Sequence, residues 1–368
     1  MKRGYKILGG VAIVLLVAIA CLAAVVSHDS PCGAAPSLSA DTPSMKAIVY
    51  RCYGGTEVLK LENIAKPVPT DDQVLVKIQA ASVNPLDWHY MQGRPYIMRA
   101  AAGIGAPASI HMGADFAGTV EAVGRSVKRF KPGDEVFGDR DGAFAQYVSV
   151  AEDGAVAIKP ANMSMEQAAA VPIAGITALQ ALRDKGKIQS GQEVLINGAS
   201  GGVGTFTVQI AKSYGAHVTG VCSGRNAEMV RSIGADRVID YTKEDFTRGS
   251  ERYDLIIDTV GNHPLSEIRR VLTLNGTLVI VGGPSDNSWI GPLAGLVKAA
   301  AASPFVSQKM IFMLAKANKE DLDILGNMMQ TGKLTPVIDK RYKLAEAAEA
   351  IGYLELGHAR GKVIVAVD

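Results

Sequence analysis

Cysteine is scarce in this chain: four in 368 residues, at positions 21, 32, 52 and 222. So few, so widely scattered, exclude a disulfide-scaffolded fold and supply no closely spaced set for a structural zinc lobe. An excess of one charge is also missing. Lys and Arg number 38 against 36 Asp and Glu, a net of +2, which gives no basic footprint for nucleic acid. A disordered chain is excluded by 48% apolar residues with so small a net charge. The 39 glycines follow no three-residue period, which excludes collagen. No internal repeat is visible, and the length suits two ordinary domains.

What is present is unevenly placed. Residues 1–27 hold Lys2, Arg3 and Lys6 and no acid, so the remainder carries 35 basic and 36 acidic residues. Residues 7–26 are uncharged. As a helix rising about 1.5 Å per residue they would span roughly 30 Å, the hydrocarbon thickness of a bilayer. Residues 1–27 are therefore expected to be an N-terminal transmembrane anchor. A cleaved signal peptide is the alternative, since Ala18-Ile19-Ala20 before Cys21 resembles a cleavage site, although signal apolar regions run only about 7–15 residues. The expected localisation is a single-pass membrane protein. By the positive-inside rule the basic residues face the cytoplasm and the rest of the chain lies on the far side, with the inverted orientation as the alternative. Residues 28–44, rich in Pro, Ser and Ala, read as a flexible linker.

Two patterns follow. From residue 45 to 165, short alternating runs such as 73–79 and 118–123 lie between Gly, Pro and Asp punctuation, which predicts an all-β unit, a partly open barrel. From Ser164 a helix is expected through Leu182, and then strands at 194–197, 217–222, 237–240, 255–258 and 277–281 alternate with helical spacing. That alternation predicts an α/β, doubly wound parallel sheet over residues 166–317. Residues 318–368 add helices around 321–331 and 344–354 and a last strand at 362–367.

The sharpest chemical signal is Asn197-Gly198-Ala199-Ser200-Gly201-Gly202-Val203-Gly204, which follows a strand and opens a helix. Ala199, Gly201 and Gly204 take the three small-residue places of a dinucleotide fingerprint. They give a tight turn, close approach to a pyrophosphate, and close packing of helix on sheet. Backbone N–H groups of the loop, Ser200, Gly202 and Val203 included, then face the phosphates. An NAD site usually holds an acid about 20 residues further on. Here the second strand ends Val221-Cys222-Ser223-Gly224-Arg225-Asn226 with none, so Ser223 and Arg225 are expected to hold a 2′-phosphate, and the cofactor is expected to be NADPH. A solvated loop arginine is the alternative for Arg225.

At these residues the chain resembles the medium-chain dehydrogenase/reductase superfamily. Within it, the likeness is to the zinc-independent quinone oxidoreductase (zeta-crystallin-like) branch, near its reticulon-4-interacting-protein-like subgroup. Asn84-Pro85-Leu86-Asp87, Gly113-Ala114-Asp115-Phe116-Ala117-Gly118, Gly133-Asp134-Glu135-Val136-Phe137-Gly138 and His358-Ala359-Arg360-Gly361-Lys362-Val363-Ile364-Val365 carry the likeness alongside the glycine loop. The resemblance covers roughly residues 45–368. It implies a GroES-like β-barrel catalytic domain, a Rossmann domain and a return of the chain to the first domain. Asn84 and Ala114 stand where zinc-dependent relatives have a ligand Cys and a ligand His, so no metal is expected. The resemblance places Asn84 and Asp87 in the active cleft, Asn84 as a hydrogen-bond donor and Asp87 as a polar orienter or merely a turn acid. Tyr96 is a candidate cleft wall or proton donor. Cofactor contacts are further implied for Thr177, Tyr241, Gly282, Gly283 and Arg360.

The expected activity is hydride transfer from NADPH to a small lipophilic quinone or an activated α,β-unsaturated carbonyl. The alternatives are an enoyl-thioester or alcohol/aldehyde reductase, or a non-catalytic NADPH-sensing protein. The expected partners are that substrate and the membrane, reached through the N-terminal helix. Residues 289–306 and 310–314 are strongly apolar. They read as a helical cap or homodimer contact, or as a patch facing a bilayer or a greasy substrate tunnel.

Overall fold

The computed structural model describes residues 2–283, 288–289, 291 and 307–367, with side chains from residue 15 onward. Helix α1 (Lys2–Ser27) comes first, then the antiparallel pair β1 (Ser44–Val49) and β2 (Lys60–Ala65). β3 (Gln73–Val83) turns at Asn84 into α2 (Pro85–Gln92), followed by the short α3 (Arg99–Ala102). β4 (Asp115–Val123), β5 (Glu135–Asp139), β6 (Tyr147–Ala151) and β7 (Val156–Ile158) complete this stretch. The alternation read in the sequence puts Val74, Val76 and Ile78 of β3 into one core with Phe116, Val136 and Val150.

Two helices link the halves: α4 (Met165–Ala169) and α5 (Pro172–Gln180). The expected single helix from Ser164 starts as foreseen. Ser164 Oγ accepts from the Gln167 N–H at 3.1 Å, and Gln167 Oε1 accepts from the Ser164 N–H at 3.0 Å. It is interrupted at Ala170-Val171 because Pro172 has no N–H to continue the ladder and begins a new helix instead.

β8 (Glu193–Asn197), α6 (Gly202–Ser213), β9 (His217–Cys222), α7 (Ala227–Ser232), β10 (Arg237–Asp240), β11 (Tyr253–Asp258), α8 (Leu265–Val271), β12 (Leu272–Ile280) and β13 (Lys309–Phe312) build the second unit. Its strands form one parallel sheet in the order β10-β9-β8-β11-β12-β13. The order changes direction between β8 and β11, the switch point at whose carboxyl end ligands bind in open parallel sheets. After α9 (Lys319–Gln330), β14 (Ile338–Lys343) and α10 (Ala347–Glu355), the last strand β15 (Lys362–Ala366) runs antiparallel to β3 and parallel to β14. The first sheet is thereby completed as β14-β15-β3-β4-β5-β7, with β6 on β3. Ile351, Val363 and Val365 pack into the core of Val74 and Phe116. The GroES-like and Rossmann units expected from the sequence are thus both present. β14 was not expected: its Lys340, Arg341 and Lys343 hide the period-two signal.

The N-terminal expectation needs correction. Among the described residues no helix is long and apolar enough to cross a membrane. The transmembrane helix, the membrane as a partner and the single-pass membrane localisation are therefore withdrawn.

The end of α1 is committed to the folded body instead. Arg99, 1% exposed, donates from Nη1 to the carbonyls of Val26 (3.1 Å) and His28 (3.0 Å), and from Nε to Gly93 O (2.8 Å). Its Nη2 pairs with Asp29 at 2.7 Å, and the guanidinium lies over the rings of Tyr53 and Tyr96. Ser30 N donates to Gly105 O, and Cys32 is disulfide-bonded to Cys52. Residues 28–43 carry no helix or strand, yet they are tied down at these points. Most of the apolar segment 289–306 lies outside the described residues; of the second apolar run, Met310, Ile311 and Phe312 form no helical cap but belong to β13, paired parallel to β12 in the second sheet.

Because Asp29 is half exposed, solvent screens part of its pairing with Arg99. Asp29→Ala is expected to cost about 1–2 kcal/mol, read as a lower denaturant midpoint with unchanged slope.

Candidate functional site

The glycine loop leaves β8 at Asn197 and re-enters helix at Gly202. Gly198 has φ +88°, a left-handed conformation that disfavours side chains. A Cβ on Gly204 would lie 2.0 Å from Gly198 O, so the first turn of α6 presses directly on the loop. Ala199 is buried beneath it, its N–H donating to Val221 O at 3.0 Å. The loop opens onto a cleft of about 530 Å³, lined on this side by Ser200, Gly201, Gly202, Val203 and Gly204. The free N–H groups of the first turn of a helix favour anions at such a place.

Ser223, Arg225 and Tyr241 also line this cleft. Arg225 Nη2 reaches the His358 carbonyl at 3.3 Å. The nearest acid, Asp240, is committed to its own turn. Its Oδ1 accepts from Thr242 Oγ1 (2.7 Å), Gly224 N (2.9 Å) and Thr242 N (3.1 Å), bonds that hold its carboxyl below the usual range. Asn226, not foreseen from the sequence, donates to Ser200 Oγ (3.1 Å) and Ser223 Oγ (3.2 Å) and so ties the two loops together. Its Oδ1 is the one buried side-chain polar atom without a partner among the described residues. An unpaired acceptor at the cleft wall suits a ribose hydroxyl, and with the glycine cradle it fits a dinucleotide.

Besides the buried Ala199, four expected cofactor contacts do not line this cleft. Thr177 Oγ1 donates to Ile173 O within α5. Gly282 packs behind Thr259, a cleft residue, where an added Cβ would lie 2.4 Å from Thr259 O. Gly283 follows it in the chain. Arg360 is turned to Asp339 (Nε to Oδ1, 3.6 Å).

The first turn of α2 stands between two cavities. Pro85 and Trp88 face the cofactor cleft, whereas Leu86, Asp87 and Tyr90 line a second cavity of about 290 Å³. Apolar walls come from Ala101, Ala102, Ala108, Met112 and Ala114, and polar groups from Tyr50, Ser109, His111, Asp139 and Asp141. Burial pushes the Asp87 carboxyl up to about 7 and the Asp139 carboxyl up to about 7, and it also raises the Tyr50 hydroxyl.

Behind this wall lies a closed polar cluster. Lys362, at the start of β15, is 3% exposed, and its Nζ donates to Asn84 Oδ1 (2.5 Å) and Val83 O (3.2 Å) and pairs with Asp115 Oδ2 (3.4 Å). Asn84 Nδ2 donates to Asp115 Oδ2 (2.9 Å) and Ser82 O (3.3 Å). Asp115 also accepts from Ser82 Oγ (2.8 Å) and Ile173 N (2.9 Å). The Asn84 N–H donates to Asp87 Oδ2 at 2.7 Å.

The expected role of Asn84 as a donor to substrate is therefore not what the geometry offers: both its amide hydrogens and its carbonyl are engaged, and it lines neither cavity. Tyr96 lines neither cavity; its ring meets Trp289 edge-on at 5.0 Å and carries Arg99 on its face. The sequence reading missed Lys362, Asp139 and Asn226. For Lys362 a signal existed, a lone cation opening an otherwise apolar strand. Among the described residues no group of three or more His, Cys, Asp or Glu is placed to hold a metal.

Residues 70–160 match the alcohol dehydrogenase GroES-like domain family, and residues 233–365 the family described as zinc-binding dehydrogenase. The chloroplast envelope quinone oxidoreductase homolog of Arabidopsis thaliana is 35% identical over 87% of this chain and 98% of its own. The chloroplastic NADPH-dependent alkenal/one oxidoreductase of the same plant is 34% identical over 90% of this chain and 83% of its own. The solved quinone oxidoreductase of Coxiella burnetii superposes with a TM-score of 0.76, at 31% identity, over 88% of this chain and all of that one.

Gly204→Ala is expected to displace the loop and weaken dinucleotide binding by at least about tenfold, roughly 1.4 kcal/mol, in a fluorescence titration.

Proposed function

The chain belongs to the medium-chain dehydrogenase/reductase superfamily, in its zinc-independent quinone-oxidoreductase branch, and on that premise we propose that it is an NADPH-dependent oxidoreductase that reduces quinones or α,β-unsaturated carbonyls in the cavity beside Asp87. The observation that carries the reading is the first turn of α2, which presents Trp88 to the dinucleotide cleft and Asp87 to the neighbouring cavity. The relatives named above support it through their printed activities, a quinone oxidoreductase homolog and an NADPH-dependent alkenal/one oxidoreductase.

The glycine loop from Ser200 to Gly204 holds the pyrophosphate, Ser223, Arg225 and Tyr241 the 2′-phosphate, and Asn226 Oδ1 a ribose hydroxyl. When bound, the cofactor supplies a hydride. Reduction of either substrate class adds one hydride and one proton, so the protein must deliver the proton. Asp87 is the group we assign to this. Its Oδ2 is fixed by the Asn84 N–H, it borders the substrate cavity, and its raised carboxyl is partly protonated at neutral pH. Asp139, on the same wall, is similarly raised. The lining carries three carboxyls and no Lys or Arg, so it suits an uncharged acceptor better than an anionic one.

Purified protein is expected to oxidise NADPH when given a small quinone or enone; no turnover with any member of such a panel would overturn the reading. The proton donor acts in its protonated form, so kcat should fall as pH rises through about 7. Asp87→Asn should lower kcat by about 10²-fold or more and abolish that limb. Arg225→Ala should weaken NADPH by about tenfold or more, the worth of a charge-assisted pair, and leave NADH nearly unchanged when the two are titrated side by side.

A further inference from the structure

Five side chains, Ser82, Asn84, Asp87, Asp115 and Lys362, are buried together where β3, β4 and β15 meet the start of α2, and of these only Asp87 lines a cavity. We propose that Lys362 is a positioning residue for the reduction: it engages the Asn84 side chain and offsets Asp115, and so leaves Asp87 as the one member of the cluster turned to substrate. This rests on the reading of Asp87 as the group that delivers the proton.

The geometry supports it from three sides. The ammonium is the donor to Asn84 Oδ1, which fixes the amide so that Nδ2 points to Asp115 and Ser82. With its side chain locked, Asn84 can offer Asp87 only its backbone N–H, which sets the carboxyl at the third position of α2. The same lysine reaches under the cofactor loop. A Cβ on Gly202 would lie 3.3 Å from Lys362 Cδ, and the adjacent Gly361 N–H donates to Ser200 O at 2.9 Å. One residue therefore touches the phosphate cradle at one end and the proton-bearing turn at the other. Such a buried ammonium is costly unless paired and fully hydrogen-bonded. Its three donors reach Asn84, Val83 and Asp115.

The charges that face Asp87 are Lys362 from β15, Asp115 from β4, Asp139 from β5 and, as a neutral phenol, Tyr50 after β1. Lys362 favours the ionised carboxylate of Asp87, whereas Asp115 and Asp139 oppose it. Removing the lysine charge must therefore raise the titration of Asp87. A role confined to packing would leave it in place.

The test is the pH profile of kcat for enone reduction in the full chain, for wild type, Lys362→Met and Lys362→Gln, with NADPH affinity followed by fluorescence titration. In Lys362→Met the limb should shift to higher pH and kcat should fall by about tenfold or more, as expected for a misplaced catalytic group. In Lys362→Gln, whose amide can still donate to Asn84 Oδ1, the limb should shift the same way and kcat should fall less. A limb that stays in place in a folded variant overturns the proposal. Should Lys362→Met not fold, as judged by its thermal transition, Lys362→Gln decides alone. A wild type without turnover, or with a limb that survives in Asp87→Asn, would instead sink the assignment of Asp87.

Discussion

The ammonium of Lys362 is sealed among Asn84, Val83 and Asp115, and it ties the last strand to the turn that opens α2. A buried ion pair is a poor source of stability, since both charges must be stripped of water, and replacing such a pair with apolar groups is often neutral or better. What it does supply is direction. The three donors of Lys362 meet three specific acceptors, on β3, on the turn before α2 and on β4. Asp115 adds a second tie by accepting from Ile173 N on α5, so the carboxylate that balances the lysine also grips the helix linking the units.

This placement explains how one short helix serves two cavities. Side chains in the first turn of a helix fan out at about 100° per residue, so neighbours can face different spaces. Pro85 and Trp88 look one way, Leu86 and Asp87 the other. The cofactor side is built of backbone and small residues, the other of alanines and carboxyls. The division matches the demands of each: close approach of a phosphate on one hand, and on the other a buried carboxyl, Asp87, whose titration burial raises.

Much of this was legible in the sequence because it rests on local rules. The glycine loop could be read because Gly198 and Gly204 satisfy a turn and a contact that almost no other residue permits. The parallel sheet could be read because apolar runs alternate with helical spacing. Less local features escaped. Asn84 carries the right motif, but only the arrival of Lys362 in space shows that its amide is already occupied. Tyr96 looked available until Arg99 and Trp289 were seen on its ring. Cys32 and Cys52 gave no framework signal, yet they are joined. The apolar N-terminal run suggested a membrane span because hydropathy counts composition, while the carbonyls at its end are taken up by a buried arginine.

The position of β15 has a further bearing on how the protein is made. Lys362 and Asn84 are 278 residues apart in the chain, and Val363 to Ala366 pair with residues 80 to 83 of β3. During synthesis the amino-terminal unit emerges with that edge of β3 bare and Asp115 without its counter-charge. It stays so while the whole nucleotide-binding unit is translated, at about 5–20 residues per second. For tens of seconds, then, the nascent chain exposes an unpaired strand edge of the kind that recruits other chains. The cluster around Asp115 is therefore completed only once the final strand has been made.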